Sequence, residues 1–391
     1  MAFVILGTGF IGRNFVHYLV SNNLVSKIRV ADKVLPHMAW MSPKHKEAFD
    51  CPVVEFKHSN LINPASVQAA FSDPEGEFGY VVNLAAETKY GQSDPVYAEG
   101  IVRLSLNCAR EAAKRKVKMY IEFSSGQMHS SEKKPVKEDT KCDPWTNLAK
   151  YKLEVEQELQ AMTDLQYAIV RPAIVYGVGD KTGLSKYCGI MNNIIFFFLG
   201  FLFMLWTKDL KMNTVHVDDV CRAIWHLFHH AKRGEIYNLV DDGDTTQGNI
   251  SELVSEIFNI SYDFVGSLWS NFARVNMDNV VEDINEKHMA PWADACVRDN
   301  IRNTPLNPFL DQELLYNKHL YLNGSKLKET GFILEKPKIQ TLYLQEVLED
   351  YLKNHLFPPS LLSDEVLWTE PYESEETNAG MDNEMLEGMA S

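Results

Sequence analysis

The chain has 391 residues, 45% of them hydrophobic, so it is long enough to bury a sizeable core. Its formal net charge is −15, but residues 359–391 hold nine acidic residues and no Lys or Arg, which leaves −6 for the rest. The sequence contains no basic stripe, which argues against a nucleic-acid partner. The six cysteines are scattered without metal-ligand spacing, so we expect no metal site and a reducing compartment, the cytoplasm.

Residues 3–12 join an apolar run directly to a glycine-rich turn. Phe3 to Leu6 predict a buried strand, Gly7-x-Gly9-x-x-Gly12 follows, and apolar residues then recur at helical spacing. In such a turn the first glycine permits the tight bend, the second lets the backbone approach a pyrophosphate, and the third allows close packing. The helix N-terminus then holds the phosphates. We therefore predict a dinucleotide site formed by Gly7, Gly9, Phe10, Ile11 and Gly12.

A second apolar strand, residues 28–31, ends at Asp32, twenty residues after Gly12. A carboxylate at this place accepts hydrogen bonds from the adenosine ribose hydroxyls, and its charge repels the 2′-phosphate of NADP. The predicted cofactor is therefore NAD(H). An ordinary glycine turn beside a solvated Asp is the alternative.

Short apolar strands alternate with amphipathic segments through the first half of the chain. The predicted strands are residues 3–6, 28–31, 53–56, 80–84, 119–123 and 167–170. We predict a helix over 148–159, a strand over 215–217, Asp218 as the N-cap of a helix over 220–230, and a strand over 236–240. This order predicts an α/β fold, a Rossmann-type doubly wound parallel sheet with a smaller, mainly C-terminal substrate lobe.

We assign residues 1–185, completed by 213–242, to the NAD-binding domain. Residues 186–212 and 243–357 form the predicted substrate lobe, and 358–391 are an acidic tail that we expect to be disordered. Residues 194–206 are thirteen residues without a polar side chain, too few for a standard membrane span. They predict a buried core segment or a subunit contact, with peripheral membrane contact through residues 190–206 as the alternative.

Several motifs in this order resemble the extended short-chain dehydrogenases/reductases, the NAD-dependent epimerase/dehydratase family, over roughly residues 1–357. The matching segments are Gly7-Thr8-Gly9-Phe10-Ile11-Gly12, Asp32, Asn60-Leu61, residues 83–88, Ser124-Ser125, residues 152–154, Arg171-Pro172, residues 175–177 and 216–220, and residues 323–326 with 330–332.

The resemblance implies a small-molecule substrate, a nucleotide sugar or similar hydroxyl-bearing compound, that reacts by transient hydride transfer, and we expect a homodimer. It places Asn60 and Leu61 at the adenine side, Ala85 and Ala86 beside the cofactor, and Pro172 in the loop that flanks the nicotinamide. It also implies that Ser125 orients the substrate oxygen and that Lys152 binds the nicotinamide ribose.

The chain departs from the family at the residue that exchanges the proton. The family has a Tyr four residues before the Lys, one helical turn away on the same face, and here that residue is Leu148. Loss of a positioned acid or base typically forfeits about 10² to 10⁴ in rate. Two functions therefore stay open: an enzyme with a substitute group, or a non-catalytic NAD-binding sensor, scaffold or assembly subunit.

Three substitutes for the missing phenol can be weighed. Tyr151 is offset by about 60° from Leu148 around the helix, which makes it a poor replacement. Thr146 with Lys150 would recreate the spacing in a shifted register, but a Thr hydroxyl is a weak acid. His129 or Glu87 could instead serve a dehydratase-like proton transfer.

One further residue requires explanation. Glu122 lies within an otherwise apolar strand, and a buried carboxylate requires a partner. The sequence does not identify that partner.

Overall fold

A seven-stranded parallel sheet forms the centre of the protein. The computed structural model describes residues 1–74, 76–181, 183–184, 201–264 and 275–362. The strands of the sheet are β1 (Ala2–Leu6), β2 (Lys27–Asp32), β3 (Val54–His58), β4 (Tyr80–Asn83), β5 (Met119–Phe123), β6 (Tyr167–Pro172) and β10 (Ile236–Leu239). Their order across the sheet is β3-β2-β1-β4-β5-β6-β10. Two parallel pairs lie outside it: β7 (Ile174–Tyr176) with β9 (Thr214–His216), and β8 (Phe201–Met204) with β11 (Ser261–Phe264).

Helices cover both faces of the sheet. They are α1 (Phe10–Ser21), α2 (Pro43–Asp50), α3 (Pro64–Phe71), α4 (Asp94–Tyr97), α5 (Leu104–Lys114), α6 (Asn147–Ala161), α7 (Val217–His230), α8 (Gln247–Phe258), α9 (Met277–Arg298), α10 (Ser325–Lys328) and α11 (Thr341–Lys353). A π-helical segment, Ala98–Arg103, joins α4 to α5, and short 3₁₀ segments form at Pro36–Met38, Gln312–Leu315 and Pro359–Leu361.

The first strand illustrates why these runs are apolar throughout. Phe3 and Ile5 enter one hydrophobic cluster, and Val4 and Leu6 enter the other, because successive side chains of a strand point to opposite faces. Both faces of a parallel sheet are covered, so both sets of side chains are buried. A continuous apolar run, rather than an alternating one, is the expected pattern.

The predicted fold class is confirmed, and the ends of the predicted strands differ from the observed ones by at most two residues. The helix predicted over 148–159 is α6. The prediction that Asp218 is an N-cap was wrong: α7 begins at Val217, directly after β9, and its N-cap is His216, whose Nδ1 accepts a hydrogen bond from the Asp218 N–H at 3.1 Å. With no loop between strand and helix, Asp218 falls in the first helical turn.

The apolar run is described only at its C-terminal end, since residues 194–200 lie outside the described residues. The backbone of Phe201–Met204 pairs with β11, and Trp206 is buried and donates its Nε1–H to the Leu315 carbonyl at 3.0 Å. In the described part of the chain no helix is both long and apolar enough to cross a membrane. Leu361 and Leu362 pack into the core, and the predicted tail from residue 363 onward lies outside the described residues.

The order of the strands determines where a ligand binds. The sequence order reverses between β1 and β4, which are neighbours in the sheet, so the segments that follow these two strands leave a crevice at its carboxyl edge. In open α/β sheets ligands bind at such a switch point. The glycine turn follows β1, and Ala85 and Ala86 follow β4.

Candidate functional site

Two of the three glycines in the turn, Gly7 and Gly12, are closely packed, and the third, Gly9, is open. At Gly7, φ is +110°, and an added Cβ would lie 3.1 Å from both Leu84 C and Ala85 N. At Gly12 an added Cβ would lie 2.1 Å from the Gly7 carbonyl oxygen, so neither position accepts a side chain. Around a Cβ added at Gly9, by contrast, there is no atom within 4 Å. The turn is therefore open at the residue predicted to approach the pyrophosphate.

The N-terminus of α1 is also available to an anion. Its N-cap is Gly9, no side chain caps it, and its first turn contains no acidic residue. Uncapped N–H groups and the helix dipole attract negative charge. Phe10 and Ile11 are half-buried and pack against the core, which fixes the first turn of the helix.

Asp32 is held directly beside this turn. Its Oδ2 accepts hydrogen bonds from the Thr8 N–H at 2.6 Å and the Thr8 hydroxyl at 2.9 Å, and its Oδ1 accepts one from the Val34 N–H at 2.9 Å. The carboxylate is thus positioned by three donors while remaining partly exposed. Thr8 was not predicted as a site residue, although its place between two of the glycines was a usable signal.

The predicted adenine side is formed by a short turn after β3. The Asn60 Oδ1 accepts a hydrogen bond from the Ile62 N–H at 3.2 Å, so this side chain stabilises its own turn. Leu61 is buried in the core cluster that also contains Leu6.

The other predicted cofactor-binding residues follow β4 and end β6. Ala85 and Ala86 are half-buried, and the Ala85 N–H donates to the Asn83 Oδ1 at 3.2 Å. Pro172 ends β6, and its carbonyl accepts a hydrogen bond from the Gly126 N–H at 3.0 Å.

Lys152 is the buried lysine of α6, with 5% of its surface exposed. Its Nζ donates to the Phe123 carbonyl at 2.5 Å and lies 3.3 Å from the Glu122 Oε1. Lys150 is exposed, and Thr146 is the N-cap of the helix, with its Oγ1 accepting a hydrogen bond from the Ala149 N–H. Of these two lysines only Lys152 is buried, and the residue one turn before it is Leu148.

The structure brings no α6 phenol to Lys152. Leu148 is half-buried and packs against an apolar cluster. The ring of Tyr151 stacks on that of Tyr97, with centroids 5.6 Å apart, and burial and a hydrogen bond to Asp94 raise the pKa of Tyr151. This phenol therefore meets a carboxylate from α4 instead of the lysine.

Ser125 lies at the end of β5 in a group of buried polar side chains. Its Oγ accepts a hydrogen bond from the Gln127 N–H at 3.1 Å. The Gln127 side chain in turn donates to the Tyr90 hydroxyl at 3.3 Å and accepts from the Thr146 Oγ1 at 2.8 Å. Tyr90 and Gln127 were not predicted as site residues, because the Gln127 side chain contacts Tyr90 and Thr146, which lie 37 and 19 residues away in the chain.

The two suggested substitutes, Glu87 and His129, differ in how their polar atoms are engaged. The Glu87 Oε1 accepts a hydrogen bond from the Lys89 N–H at 2.9 Å, within its own exposed turn. His129 is half-buried, and its Nδ1 is enclosed with no hydrogen-bond partner among the residues that the structure describes. Neither side chain is hydrogen-bonded to Ser125 or Lys152 within the same residues.

A second buried ion pair supports the loop that contains Pro172. Glu156 accepts hydrogen bonds from Arg171 at 2.5 and 3.0 Å and from the Ser124 hydroxyl at 2.5 Å. Burial by itself would lower the pKa of Arg171, but the Glu156 carboxylate outweighs it and raises that pKa. The charge-assisted bonds therefore hold the end of β6 against α6.

The structure shows the hydrogen-bond partners of the buried Glu122 carboxylate, which the sequence did not identify. The carboxylate accepts hydrogen bonds from four side chains: Asn83, Ser105, Tyr120 and Lys152. Burial, together with the Glu122 charge, raises the pKa of the Tyr120 hydroxyl well above its usual value. The prediction that this carboxylate has a partner is confirmed.

A parallel sheet of this order, with a glycine turn at its switch point and an acidic residue at the end of its second strand, defines a dinucleotide-binding α/β protein. The chain belongs to the NAD-dependent epimerase/dehydratase family, whose model matches residues 3–239. No curated protein matches the chain. In the described segments no group of three or more His, Cys, Asp or Glu side chains could hold a metal ion.

Solved structures with the same fold are similar over most of the chain. A dTDP-glucose 4,6-dehydratase from Streptomyces venezuelae with NAD bound has a TM-score of 0.66 and 17% identity over 92% of this chain and 100% of that one. A UDP-glucose 4-epimerase from Thermotoga maritima with UDP-glucose has a TM-score of 0.63 and 20% identity over 91% and 100%. At these identities the similarity establishes the fold.

Proposed function

We propose that this protein binds NAD(H) in the crevice between β1 and β4 and acts on a nucleotide sugar, or a similar hydroxyl-bearing substrate, by transient hydride transfer. The observation that carries the proposal is the Asp32 carboxylate, fixed by Thr8 beside a glycine turn that is open at Gly9. Nucleotide sugars are supported as substrates by the family and by the sugar nucleotide in the Thermotoga maritima structure.

Each predicted residue has a definite task in this proposal. The N–H groups at the start of α1 bind the pyrophosphate, and Asp32 accepts hydrogen bonds from the ribose hydroxyls while repelling a 2′-phosphate. Lys152 donates a hydrogen bond to the nicotinamide ribose, and the Ser125 hydroxyl orients the substrate oxygen. When bound, NAD supplies the hydride acceptor.

The proton has to move through a group other than residue 148. His129 is the better of the two predicted substitutes, because its Nδ1 has no hydrogen-bond partner among the described residues and is therefore not committed to another group. Glu87 is engaged with the backbone of its own turn.

The experiment is purification of the protein, measurement of its NAD content, and incubation with a panel of nucleotide sugars and alcohols while the near-ultraviolet absorbance of NADH is followed. We expect bound NAD and a substrate that reduces it. Lys152→Met is the control, and we expect it to bind NAD more weakly and to show no reduction. Protein that binds NAD but reduces it with no member of the panel contradicts the catalytic part of the proposal.

A second function, that of a non-catalytic NAD-binding sensor, scaffold or assembly subunit, is favoured by the surroundings of Lys152. Its charge is compensated by Glu122, and the residue one helical turn before it is aliphatic, so α6 places no phenol beside the lysine. Leu148→Tyr tests this function, with Leu148→Phe as the matched control without a hydroxyl. Gain of turnover in Leu148→Tyr alone, at unchanged NAD affinity, supports it, whereas strong turnover by the unmodified protein contradicts it.

We also propose a cytoplasmic homodimer in which residues 190–206 make a core or subunit contact. Light scattering of the purified protein and cell fractionation test the two parts. A monomeric mass would contradict the first part. A membrane-bound pool that disappears when residues 190–206 are deleted would contradict the second in favour of peripheral membrane contact.

A further inference from the structure

Glu122 is a charged side chain at the centre of the sheet. It lies on β5 between Asn83 of β4 and Ile169 of β6 in the strand register, and its residue exposure is 0%. An ionised carboxylate in such a place costs several kcal/mol unless its charge is paired and its lone pairs are satisfied. The surroundings of Glu122 meet both conditions.

Three neutral side chains anchor the carboxylate. The Ser105 hydroxyl donates to it at 2.9 Å, the Tyr120 hydroxyl at 2.7 Å, and the Asn83 Nδ2 at 2.9 and 3.2 Å. Asn83 also accepts a hydrogen bond from the Ala85 N–H, so the carboxylate is attached to the turn that packs against Gly7. These bonds define one position for the negative charge.

The remaining partner of the carboxylate is Lys152. An ammonium group has three donors, and the described residues supply acceptors for two of them, Glu122 and the Phe123 carbonyl. The described residues provide no acceptor for the third N–H. A flexible four-carbon side chain normally loses conformational entropy when it binds a ligand. The Lys152 side chain is already ordered by its contacts with Glu122 and Phe123 of β5, so less entropy would be lost.

We propose that Glu122 is a positioning residue of the NAD site: it holds the Lys152 ammonium at the place where the nicotinamide ribose binds. This inference rests on the cofactor part of the proposed function. It assigns a role to a carboxylate that is fully buried within β5. Glu122 does not itself touch the cofactor.

The test compares the binding of NAD with that of ADP, which corresponds to the adenosine half of NAD. NAD contains the ribose that Lys152 would contact, whereas ADP lacks it, and both contain the adenosine and the two phosphates. Dissociation constants for both ligands are measured by calorimetry for the unmodified protein, Glu122→Gln, Lys152→Met and the double variant. Asp219→Asn is the matched control, because Asp219 is an equally buried carboxylate that pairs with Arg222 on α7.

We expect Glu122→Gln to raise the dissociation constant for NAD about tenfold and to leave that for ADP within about twofold. The reason is that Glu122 acts through Lys152, a residue in direct contact with it, and ADP lacks the ribose that Lys152 would contact. The double variant should be no worse than Lys152→Met alone. Asp219→Asn should leave the ratio of the two constants unchanged. If circular dichroism indicates that Glu122→Gln is unfolded, Glu122→Asp, which withdraws the carboxylate by one methylene, is used in the same comparison.

Two results would overturn this inference while leaving the proposed NAD site intact. One is an unchanged ratio of the NAD and ADP dissociation constants in the Glu122 variant. The other is full additivity of the losses of NAD affinity in the double variant. An equal loss of both ligands would assign Glu122 a general structural role and also overturns it. If the unmodified protein binds neither ligand, the proposed cofactor site fails, and the inference fails with it.

Discussion

Replacement of Gly9 by Ala separates folding from cofactor binding. Gly9 has φ −62° and ψ −171°, a conformation that alanine adopts without strain, and a Cβ added there meets no atom within 4 Å. The new methyl group would nevertheless stand on the open side of the turn, where the pyrophosphate is proposed to meet the backbone. The folded protein should tolerate the change, and the bound dinucleotide should not.

The two effects differ in size. Alanine reduces the conformational entropy of the unfolded chain, which stabilises the folded protein by about 0.4–1 kcal/mol. Helix N-caps prefer Gly to Ala, and this preference destabilises the variant by a similar amount. The free energy of unfolding should therefore change by less than about 1 kcal/mol. Displacing the pyrophosphate weakens hydrogen bonds to a charged group worth about 1.5–3 kcal/mol each, so losing one raises the dissociation constant about 10-fold to 150-fold.

Gly12→Ala is the matched control, because its Cβ would lie 2.1 Å from the Gly7 oxygen and the backbone has to move. Such overpacking typically costs about 1–3 kcal/mol. Urea unfolding measures the stability of both variants, and calorimetry measures their affinity for NAD. Normal NAD affinity in Gly9→Ala would refute the placement of the pyrophosphate, and normal stability in Gly12→Ala would refute the description of the turn.

Three further predictions concern other groups of the protein. Asp32→Asn removes the charge that repels a 2′-phosphate, so the ratio of NADP to NAD affinity should rise, and calorimetry that finds no change contradicts the assignment of Asp32. Ser125→Ala should reduce turnover while leaving NAD affinity unchanged, and an equal loss of both would place Ser125 in the cofactor site instead. Burial raises the pKa of Asp241 to about 7, above its unfolded value, so its contribution to stability is complete at low pH and is lost as the pH rises from about 4 through 7. Asp241→Asn should therefore become more stable relative to the unmodified protein between pH 5 and pH 8 in urea unfolding, and a constant difference contradicts this sign.

The parallel sheet was predictable because its signal is local. Most strands of the sheet contain a short apolar run, and the glycine turn, Asp32 and the buried lysine stand at spacings that a sequence displays directly. The start of α7 was misplaced because the N-cap preference for Asp was applied where a His side chain accepts the hydrogen bond.

The polar contacts around the site were not predictable, since they join residues far apart in the chain. The partners of Glu122 come from β4, β5, α5 and α6, and the group around Ser125 draws on loops after β4 and β5. No spacing rule connects Ser105 or Tyr90 to these strands. The sequence could therefore indicate that Glu122 needs a partner without identifying Lys152.

The central claim is that the crevice beside Asp32 binds NAD, although Leu148 stands where the family has its phenol. Calorimetric titration of the unmodified full-length protein with NAD and with NADP tests it most directly. The account predicts one saturable site for NAD and affinity for NADP weaker by about tenfold or more, because the 2′-phosphate would face a carboxylate. Absence of NAD binding, or equal affinity for the two dinucleotides, would contradict it.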